Sequence, residues 1–488
     1  MSVSPLPSSL NLWTSAATLS PPLVRPRLTS LCLLASDAAA VTSASFLGVF
    51  LWQLANPSVS LANYFNLVGS IAAFLAVYAA LGLYSPAGLS PVQELKASLQ
   101  GTAIVALAHA TGAFLSKEIA TYSRGAFLCS AALIAFLVPA ARALLRTSLA
   151  RKRWWGVPVA ILGAGESAAR LLRTLHSSPE LGFKPVACFD DDPARSGFCS
   201  GVPVLGPLSE ARRIAPQHNI RHAIVAMPGI TGPRMLAILE QHCSAFPRVT
   251  VLSDLLGVAS LWVTPREIGN VLGLELRQNL LIPLNRTVKR ALDVTLTLLL
   301  TPAAIPLILL SAIWIRLRSP GPVLYRQPRQ GHLAAIIQMP KIRTMLPNAD
   351  ALLEHHLAQS PGARGEWQRF FKLHDDPRVI PGIGHFLRRT SLDELPQLWS
   401  VLTGEMSLVG PRPFPQYHLD RFHPDFRALR AKVRPGLTGL WQVSARSDGD
   451  LAVQQQLDTY YIRNWSPWLD LHILARTVAV VLSGKGAR

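Results

Sequence analysis

The sequence is poor in charged residues and in cysteine, and each shortage excludes a common class of protein. Only 15% of its 488 residues are Asp, Glu, Lys or Arg, whereas 50% are apolar, which is unusual for a soluble domain. The five cysteines are scattered and lack metal-ligand spacing, so we expect reduced, packed thiols and no disulfide framework. Zinc-finger spacing and interleaved aromatic and basic residues are also absent, so no nucleic-acid partner is expected.

Acidic residues are scarce relative to basic ones. The chain has 28 Asp and Glu against 47 Lys and Arg, a formal net charge of +19. Because this excess accompanies long apolar segments, anionic membrane lipids and phosphate-bearing substrates explain it better than nucleic acid does. Residues 1–24, rich in Ser and Pro, are expected to be disordered and to lack a signal peptide.

Long apolar runs dominate residues 25–150, which we predict to form a four-helix transmembrane bundle. The runs of spanning length are 28–52, 62–84, 98–116 and 122–146. Basic residues precede the first run and close the fourth, between Arg142 and Arg153, whereas the connection at 53–61 has no charge. The positive-inside rule therefore predicts that both ends of the bundle face the cytoplasm. A buried soluble core is the alternative, but such a core rarely gives four such runs in succession.

Residues 155–255 have the alternating strand and helix pattern of a Rossmann-like (CoA-binding-like) α/β domain, expected in the cytoplasm. Gly163 and Gly165, followed by Asp190, resemble a dinucleotide fingerprint and predict nucleotide binding at these residues. An empty strand–helix turn fits the same spacing equally well. No Tyr-x-x-x-Lys pair accompanies the glycines, so we do not expect catalysis there. The predicted strands are Val157–Leu162, Lys184–Phe189 and Ala223–Pro228.

A fifth apolar segment at 291–315 follows a predicted linker at 256–283. We predict that this segment is a re-entrant helix, which enters the membrane and returns to the same side. Basic residues flank both of its ends, and Pro302 and Pro306 favour a kink in the middle. An ordinary spanning helix is the alternative, because proline is tolerated in such helices.

Charged residues at the start of this segment are predicted to anchor it. A carboxylate inside an apolar helix is costly unless it is paired, so we expect Asp293 to pair with Arg290 three residues earlier. Lys289 and Pro306 are assigned structural roles beside them. The stretch 468–483 mixes apolar and charged residues and is predicted to be an amphipathic helix lying on the membrane.

Two adjacent carboxylates, Asp393 and Glu394, stand out in the last third of the chain. Arg388 precedes them, and Arg412 lies between two prolines on a stiff loop. A carboxylate can attack phosphorus or bind a metal, and guanidinium groups neutralise phosphoryl oxygens, so this combination favours chemistry on a phosphate. On local spacing alone, two structural interpretations compete with this one: Ser391 and Glu394 could form a capping box, and Asp393 could cap a helix.

A series of ordered motifs runs from about residue 284 to the end of the chain. In this order they resemble the bacterial sugar transferases, and more narrowly the monotopic polyprenyl-phosphate hexose-1-phosphate transferases. With the membrane and Rossmann-like regions in front, the chain resembles the large members of that family. The motifs are Lys289-Arg290-x-x-Asp293, Ser319-Pro-Gly-Pro322, Arg326-Gln327, Lys341-Ile-Arg343-Thr-Met345, Arg388 to Gln397, Met406 to Pro413, Val433 to Gln442, Asp458-x-Tyr460-Tyr461 and Gly486-Ala487-Arg488.

The resemblance implies a mainly helical catalytic domain at 284–488 that transfers a hexose-1-phosphate from a UDP-hexose to undecaprenyl phosphate and releases UMP. This would be the first membrane step of exopolysaccharide, O-antigen or capsule synthesis, with galactose the expected sugar and glucose the alternative. Asp393 would be the nucleophile and a ligand of Mg²⁺, with Glu394 as its companion. The residues implied in binding substrate phosphates are Arg388, Arg412, Lys341, Arg343 and Arg434.

The resemblance also implies a bacterial inner-membrane protein with its catalytic domain on the cytoplasmic face, in contact with membrane lipids, and a homodimer is a further expectation. Lys341 and Arg343 could equally meet lipid headgroups. A membrane-tethered NAD-dependent nucleotide-sugar enzyme and a non-catalytic scaffold remain alternatives. The chain departs from the family pattern at Ile305-Pro306, Pro340-Lys-Ile-Arg343 and Ser444-Ala445-Arg446, which leaves the carboxylate pair unchanged.

Overall fold

The computed structural model describes residues 24–59, 68–87, 89–115, 123–230, 232–252, 263–268, 271–276, 279–370, 373, 376–444 and 451–483. The chain separates into two compact units, Met1–Leu256 and Gly257–Arg488. Three predictions fall outside the described residues: nearly all of the disordered N-terminus at 1–24, the departure at Ala445-Arg446, and the terminal motif Gly486-Ala487-Arg488.

The first unit begins with helices at the four apolar runs. α1, α3 and α4 are long and apolar enough to cross a membrane. α2 has 13 described residues, because the first part of the second predicted run, residues 62–67, lies outside the description. Helices of this length and composition mark the chain as a membrane protein. Their bounds are α1 Pro26–Ala55, α2 Val68–Ala80, α3 Pro91–Leu115 and α4 Arg124–Leu149.

Small residues let α1 and α4 pack closely. A Cβ added at Gly48 would lie 2.6 Å from the backbone of Ser130. The Ser130 hydroxyl donates a hydrogen bond to the Ser45 carbonyl at 3.1 Å. Close approach through small and hydroxylated side chains is a usual way for membrane helices to associate.

A buried charge network joins α1, α3 and α4. Arg142, only 1% exposed, donates to both oxygens of Asp37 (2.8 and 2.6 Å) and to Glu94 (2.6 Å). Arg146 donates to the other Glu94 oxygen at 2.8 Å. The sequence places both arginines among the basic residues that close the fourth run, and the structure shows them as counter-charges of buried carboxylates. The exposed basic cluster at this end is residues 151–153.

The start of α1 and the exit of α4 lie at the same end of the bundle. The Arg25 N–H donates to the Trp154 carbonyl at 2.8 Å, and the Gly156 N–H donates to the Thr29 hydroxyl at 3.0 Å. This arrangement agrees with the even number of crossings predicted for residues 25–150. Which side of the membrane this end faces remains a prediction.

The rest of the first unit is the predicted α/β fold, built around the central strand β1. The strand order is β3-β4-β2-β1-β5-β6, in which β3 is antiparallel to β4 and the other neighbours are parallel. Because β2 and β5 flank β1 on opposite sides, the crevice that binds ligands in such sheets opens at the carboxyl end of β1, beside Gly163. The bounds are β1 Val157–Leu162, α5 Glu166–Ser177, β2 Phe183–Phe189, β3 Gly197–Cys199, β4 Val202–Val204, α6 Leu208–Gln217, β5 His222–Val225, α7 Gly232–His242 and β6 Arg248–Val251.

The second unit is mainly helical, as expected for the catalytic domain. Its β9–β10 and β7–β8 pairs are antiparallel and its β11–β12 pair is parallel. The β7–β8 hairpin occupies part of the predicted linker at 256–283. The bounds are β7 Val263–Ile268, β8 Val271–Leu276, α8 Pro283–Arg318, β9 Leu324–Gln330, β10 Ile336–Ile342, α9 Ala349–Gln359, α10 Pro361–Phe370, α11 Ile383–Thr390, α12 Gln397–Thr403, β11 Ser407–Val409, α13 Gln416–Leu419, α14 Pro424–Ala431, β12 Gly436–Thr438, α15 Leu440–Ser444, α16 Leu451–Asn464 and α17 Pro467–Ser483.

Helix α8 contains the fifth apolar segment and runs through both prolines without ending. It has 36 residues, enough to span a bilayer, with Pro302 and Pro306 inside it. A return to the entry side of the membrane would therefore have to come from bending of a continuous helix. The re-entrant topology remains a prediction.

Lys289, and not Arg290, is the partner of Asp293. The Lys289 ammonium lies 3.0 Å from Asp293 Oδ1 and 2.9 Å from Asp470 Oδ2, so one cation joins α8 to α17. Arg290 instead donates to backbone carbonyls at the end of α12, including that of Leu402 at 2.7 Å. The prediction of the Arg290–Asp293 pair was wrong because tertiary contacts gave each basic residue a different acceptor.

Helix α17 packs one face against the protein. Asp470 is 1% exposed and Ile473 is fully buried, whereas Val478 and Leu482 are exposed. The predicted amphipathic helix therefore buries its acidic residue in the protein. Contact of the exposed apolar face with the membrane remains a prediction.

Lys289→Met tests the charge cluster around Lys289. The substitution leaves two buried carboxylates without their shared cation, so we expect a loss of stability of about 3–5 kcal/mol. Thermal unfolding of the purified protein in detergent, followed by tryptophan fluorescence, measures the change. Lys432→Met removes the same charge from an exposed position and should unfold as the unmodified protein does. Equal unfolding temperatures for the two variants would contradict the role of the cluster.

Candidate active site

The pair Asp393 and Glu394 lies on a tight turn between two helices. After α11 ends, Ser391 takes a left-handed conformation (φ 57°), and residues 392–394 form one 3-10 turn ahead of α12. The Ser391 side chain makes no capping hydrogen bond, and Asp393 lies inside the turn instead of at the N-cap of α12. The two capping interpretations are therefore wrong.

Two cations hold Glu394. Lys341 Nζ, from β10, lies 2.7 Å from Glu394 Oε1, and Arg412 Nη2 lies 3.2 Å from the same oxygen. Burial alone would raise the pKa of Glu394, but the Lys341 ammonium and the Arg412 guanidinium outweigh burial and lower the pKa to about 2. Glu394 is therefore an anion at neutral pH and keeps both cations at the site.

Asp393 is 9% exposed and has no hydrogen-bond partner within the described part of the chain. Burial first, and the Glu394 carboxylate second, raise the pKa of Asp393 to about 6, against the attraction of Lys341, Arg388 and Arg412. Because none of the described protein groups is bonded to its oxygens, Asp393 can contact a ligand directly.

Arg388 approaches the pair from α11. Its Nε donates to the Thr344 hydroxyl at 3.0 Å. Burial lowers the pKa of Arg388, although Asp376 and Asp393 both attract its charge. Basic side chains from α11, from β10 and from the loop after β11 thus converge on two carboxylates, an arrangement that can hold and polarise phosphoryl groups.

Two predicted phosphate-binding residues do not contact the carboxylate pair. Arg343 donates to the Ser319 carbonyl at 3.0 Å, and Arg434 is exposed just before β12. The sequence motifs alone could not separate these two residues from Lys341, Arg388 and Arg412.

A crowded backbone holds the loop that carries Arg412. A Cβ at Gly436 would lie 2.0 Å from the Gly410 nitrogen, so only glycine fits at this close approach. The Gly436 N–H donates to the Pro411 carbonyl at 2.9 Å, and the Arg430 guanidinium donates to the Arg412 carbonyl. Arg430 is not among the residues predicted from the sequence, because a buried arginine that binds a backbone carbonyl has no motif of its own.

Comparisons with known proteins match both halves of the chain. Residues 284–484 match the family model for bacterial sugar transferase, and residues 79–246 match a CoA-binding domain. The undecaprenyl-phosphate galactose phosphotransferase of Salmonella typhimurium is 35% identical over 358 residues, 72% of this chain and 73% of that protein. The chain belongs to the bacterial sugar transferase family.

Two more relatives of this transferase extend over most of its length. The UDP-galactose-lipid carrier transferase of Erwinia amylovora is 36% identical over 362 residues, 72% of this chain and 73% of that protein. The UDP-glucose:undecaprenyl-phosphate glucose-1-phosphate transferase of Escherichia coli is 32% identical over 336 residues, 67% of this chain and 68% of that protein. The resemblance found in the motifs is confirmed, and the chain is a membrane-bound transferase.

The donor set of the transferase fits Mg²⁺ only when substrate supplies further ligands. No group of three or more His, Cys, Asp or Glu side chains that could hold a metal occurs among the described residues. Asp393 has free oxygens, while Glu394 is shared with two cations. Magnesium accepts one or two carboxylates together with phosphate oxygens and water, so the pair fits a substrate-dependent magnesium site.

In the Rossmann-like domain, the Asp190 carboxylate binds the backbone of the loop that contains Gly163 and Gly165. Asp190 Oδ2 accepts the Ala164 N–H at 2.6 Å and the Arg195 guanidinium at 3.0 Å. Arg195 also lies against the loop, 3.1 Å from where a Cβ on Gly165 would be, and Gly163 has φ +100°. Burial would raise the pKa of Asp190, but these contacts lower it. The predicted residues do meet, yet nucleotide binding there remains a prediction.

Asp393→Asn tests the cost of the buried charge. The pKa of Asp393 is raised to about 6 in the folded protein, so the ionised carboxylate lowers the free energy of unfolding at pH 7.5. This destabilisation becomes smaller as the pH falls below 6, because Asp393 is then protonated in the folded protein. We expect Asp393→Asn to be more stable by roughly 1–2 kcal/mol at pH 7.5 and less so at pH 5. Thermal unfolding at the two pH values measures the difference.

Asp425→Asn is the matched control, because its side chain is 93% exposed. Its unfolding temperature should follow that of the unmodified transferase at both pH values. If Asp393→Asn were less stable than the unmodified transferase at pH 7.5, ionised Asp393 would not be destabilising the folded protein, and the interpretation would be wrong.

Proposed function

We propose that this transferase moves hexose-1-phosphate from a UDP-hexose to undecaprenyl phosphate, giving undecaprenyl-diphosphate-hexose and UMP, as the first membrane step of exopolysaccharide, O-antigen or capsule synthesis. The observation that carries the proposal is the free, buried Asp393 beside a Glu394 that is held by Lys341 and Arg412. A carboxylate so placed is a competent nucleophile towards phosphorus once nearby cations neutralise the phosphoryl oxygens.

The reaction then has two balanced steps. An oxygen of Asp393 attacks the phosphorus that bears the sugar, the bond from this phosphorus to the bridging oxygen breaks, and UMP leaves with that oxygen. In the second step a phosphate oxygen of undecaprenyl phosphate attacks the same phosphorus, and the bond to Asp393 breaks. Arg388, Lys341 and Arg412 hold the phosphoryl oxygens through both steps.

Glu394 has a positioning role in this scheme. Its carboxylate keeps Lys341 and Arg412 beside Asp393, and its charge adds to the effect of burial, which is the main reason that the pKa of Asp393 is raised. Asp393 and Glu394, together with the substrate phosphates, would hold Mg²⁺, which would supply positive charge to the pyrophosphate.

The donor and acceptor favour the inner membrane, with the catalytic unit on its cytoplasmic face. Nucleotide-activated sugars are cytoplasmic, and basic residues lie at both ends of the fifth apolar segment. Galactose is the favoured hexose, because two of the three relatives described above are named for galactose and one for glucose. A homodimer remains an expectation.

The first test is incubation of the purified protein with undecaprenyl phosphate, Mg²⁺ and separate UDP-sugars, scored by UMP release. We expect release with UDP-galactose or UDP-glucose and near-complete loss in Asp393→Asn, because an amide cannot form the intermediate. Glu405→Gln, which removes the charge of an exposed carboxylate, is the control and should release UMP as the unmodified protein does. Full activity of Asp393→Asn would refute the nucleophile.

Omission of the lipid acceptor isolates the first step. We expect at most one UMP per protein and a hexose-phosphate mass increase on the peptide that contains Asp393, both absent from Asp393→Asn. Absorbance change with NAD and no UMP release would favour the nucleotide-sugar redox enzyme instead. A scaffold would show neither activity.

A further inference from the structure

Three buried hydrogen-bond donors without partners meet where α8 ends. Arg343 is 8% exposed, and its Nε and Nη1 have no hydrogen-bond partner among the described residues. The hydroxyl of Ser319, a residue 3% exposed, is likewise without a partner. The two side chains are adjacent, because Arg343 Nη2 donates to the Ser319 carbonyl at 3.0 Å. Buried polar groups are almost always satisfied, so this cluster requires an explanation.

The charge around this cluster is positive. The Arg316 guanidinium donates to the Gly321 carbonyl at 3.3 Å, on the turn that covers Arg343. Burial, and then repulsion by Arg316, lower the pKa of Arg343. No acidic side chain within the described residues pairs with Arg343. A buried cation without a counter-charge is costly, and an anion with several acceptor oxygens would satisfy it.

The cluster is connected along the chain to α8 on one side and to a residue that binds the carboxylate pair on the other. The last turns of α8 expose Ile313, Trp314 and Leu317, on the same helix as Arg316. On the other side, Lys341 is on β10 and Arg343 directly follows the last residue of that strand. The Arg343 N–H donates to the Val323 carbonyl at 2.8 Å and so continues the pairing with the segment of β9, which puts side chains two residues apart on one face. An anion held by Arg343 would thus be next to the lysine that holds Glu394.

We propose that Arg343, Ser319 and Arg316 bind the phosphate of the lipid acceptor, undecaprenyl phosphate. The inference rests on the proposed function and names the acceptor subsite within it. The acceptor phosphate is covalently bound to a hydrocarbon chain that must stay in the bilayer, so its site must border the end of a membrane helix. The donor, which is water-soluble, has no such constraint, and the cations beside Asp393 remain available for its phosphates.

The competing explanation is that Arg343 only braces the turn through its bond to the Ser319 carbonyl. Kinetics with each substrate varied in turn separate the two. For Arg343→Met and Ser319→Ala we expect the KM for undecaprenyl phosphate to rise, by about tenfold or more for Arg343→Met, with the KM for UDP-hexose nearly unchanged. Arg318→Met removes an exposed charge from the same turn of α8 and should change neither.

Ligand-induced thermal stabilisation gives a readout that does not need turnover. Undecaprenyl phosphate, phosphatidylglycerol and inorganic phosphate are added separately to the unmodified protein and to Arg343→Met. We expect undecaprenyl phosphate to raise the unfolding temperature of the unmodified protein and of Arg318→Met, with the rise lost in Arg343→Met.

Each other result is decisive. An equal rise with phosphatidylglycerol would make the cluster a general headgroup site, and a rise with inorganic phosphate alone would make it a soluble-anion site; both overturn the acceptor assignment. If undecaprenyl phosphate raised the unfolding temperature of Arg343→Met as much as that of the unmodified protein, Arg343 would only brace the turn and would not bind the acceptor. If the unmodified protein transfers no sugar but its stabilisation by undecaprenyl phosphate depends on Arg343, the proposed function fails while the binding site stands.

Discussion

The buried pair of adjacent carboxylates is the constraint on which the catalytic unit depends. Two anions cannot be neighbours in a buried site unless cations compensate them, and the cations come from separate segments of the chain. Lys341 and Arg412 both bind Glu394, which leaves Asp393 without a hydrogen-bond partner among the described residues. Because both cations bind Glu394, Glu394 is a stable anion, whereas the buried Asp393 lacks a bonded cation and has a raised pKa.

The same rule of charge compensation recurs in the membrane helices. Lys289 lies between Asp293 and Asp470, and Arg142 lies between Asp37 and Glu94. In each cluster a cation bridges two carboxylates from different helices. Since ionised groups in apolar helices are costly when unpaired, each cluster penalises separation of the helices that it joins. One of them fixes α8 to α17 and so helps to hold the catalytic unit on its membrane helix.

Arg343 is the exception to this compensation. It is buried, lies near a second arginine and has no acidic partner within the described residues, whereas the other buried cations in these clusters are paired. Arg343 lies where the end of α8 meets the segment after β10. A substrate that binds there can supply the missing negative charge. Strain and unsatisfied groups of this kind concentrate where proteins bind ligands.

Local spacing and composition were enough to predict the apolar runs, the strand–turn–helix around Gly163, the ordered transferase motifs and the carboxylate pair. Tertiary structure decided the partners. In the folded protein Asp293 pairs with Lys289 instead of Arg290, and Arg142 and Arg146 pair with buried carboxylates. Only some of the predicted phosphate ligands lie beside Asp393 and Glu394, and Arg343 is not one of them. A charge is stabilised by groups that lie within a few ångströms of it in space. The partners found here are fifty or more residues apart in the sequence, and the sequence alone does not show that such residues are close together in the fold.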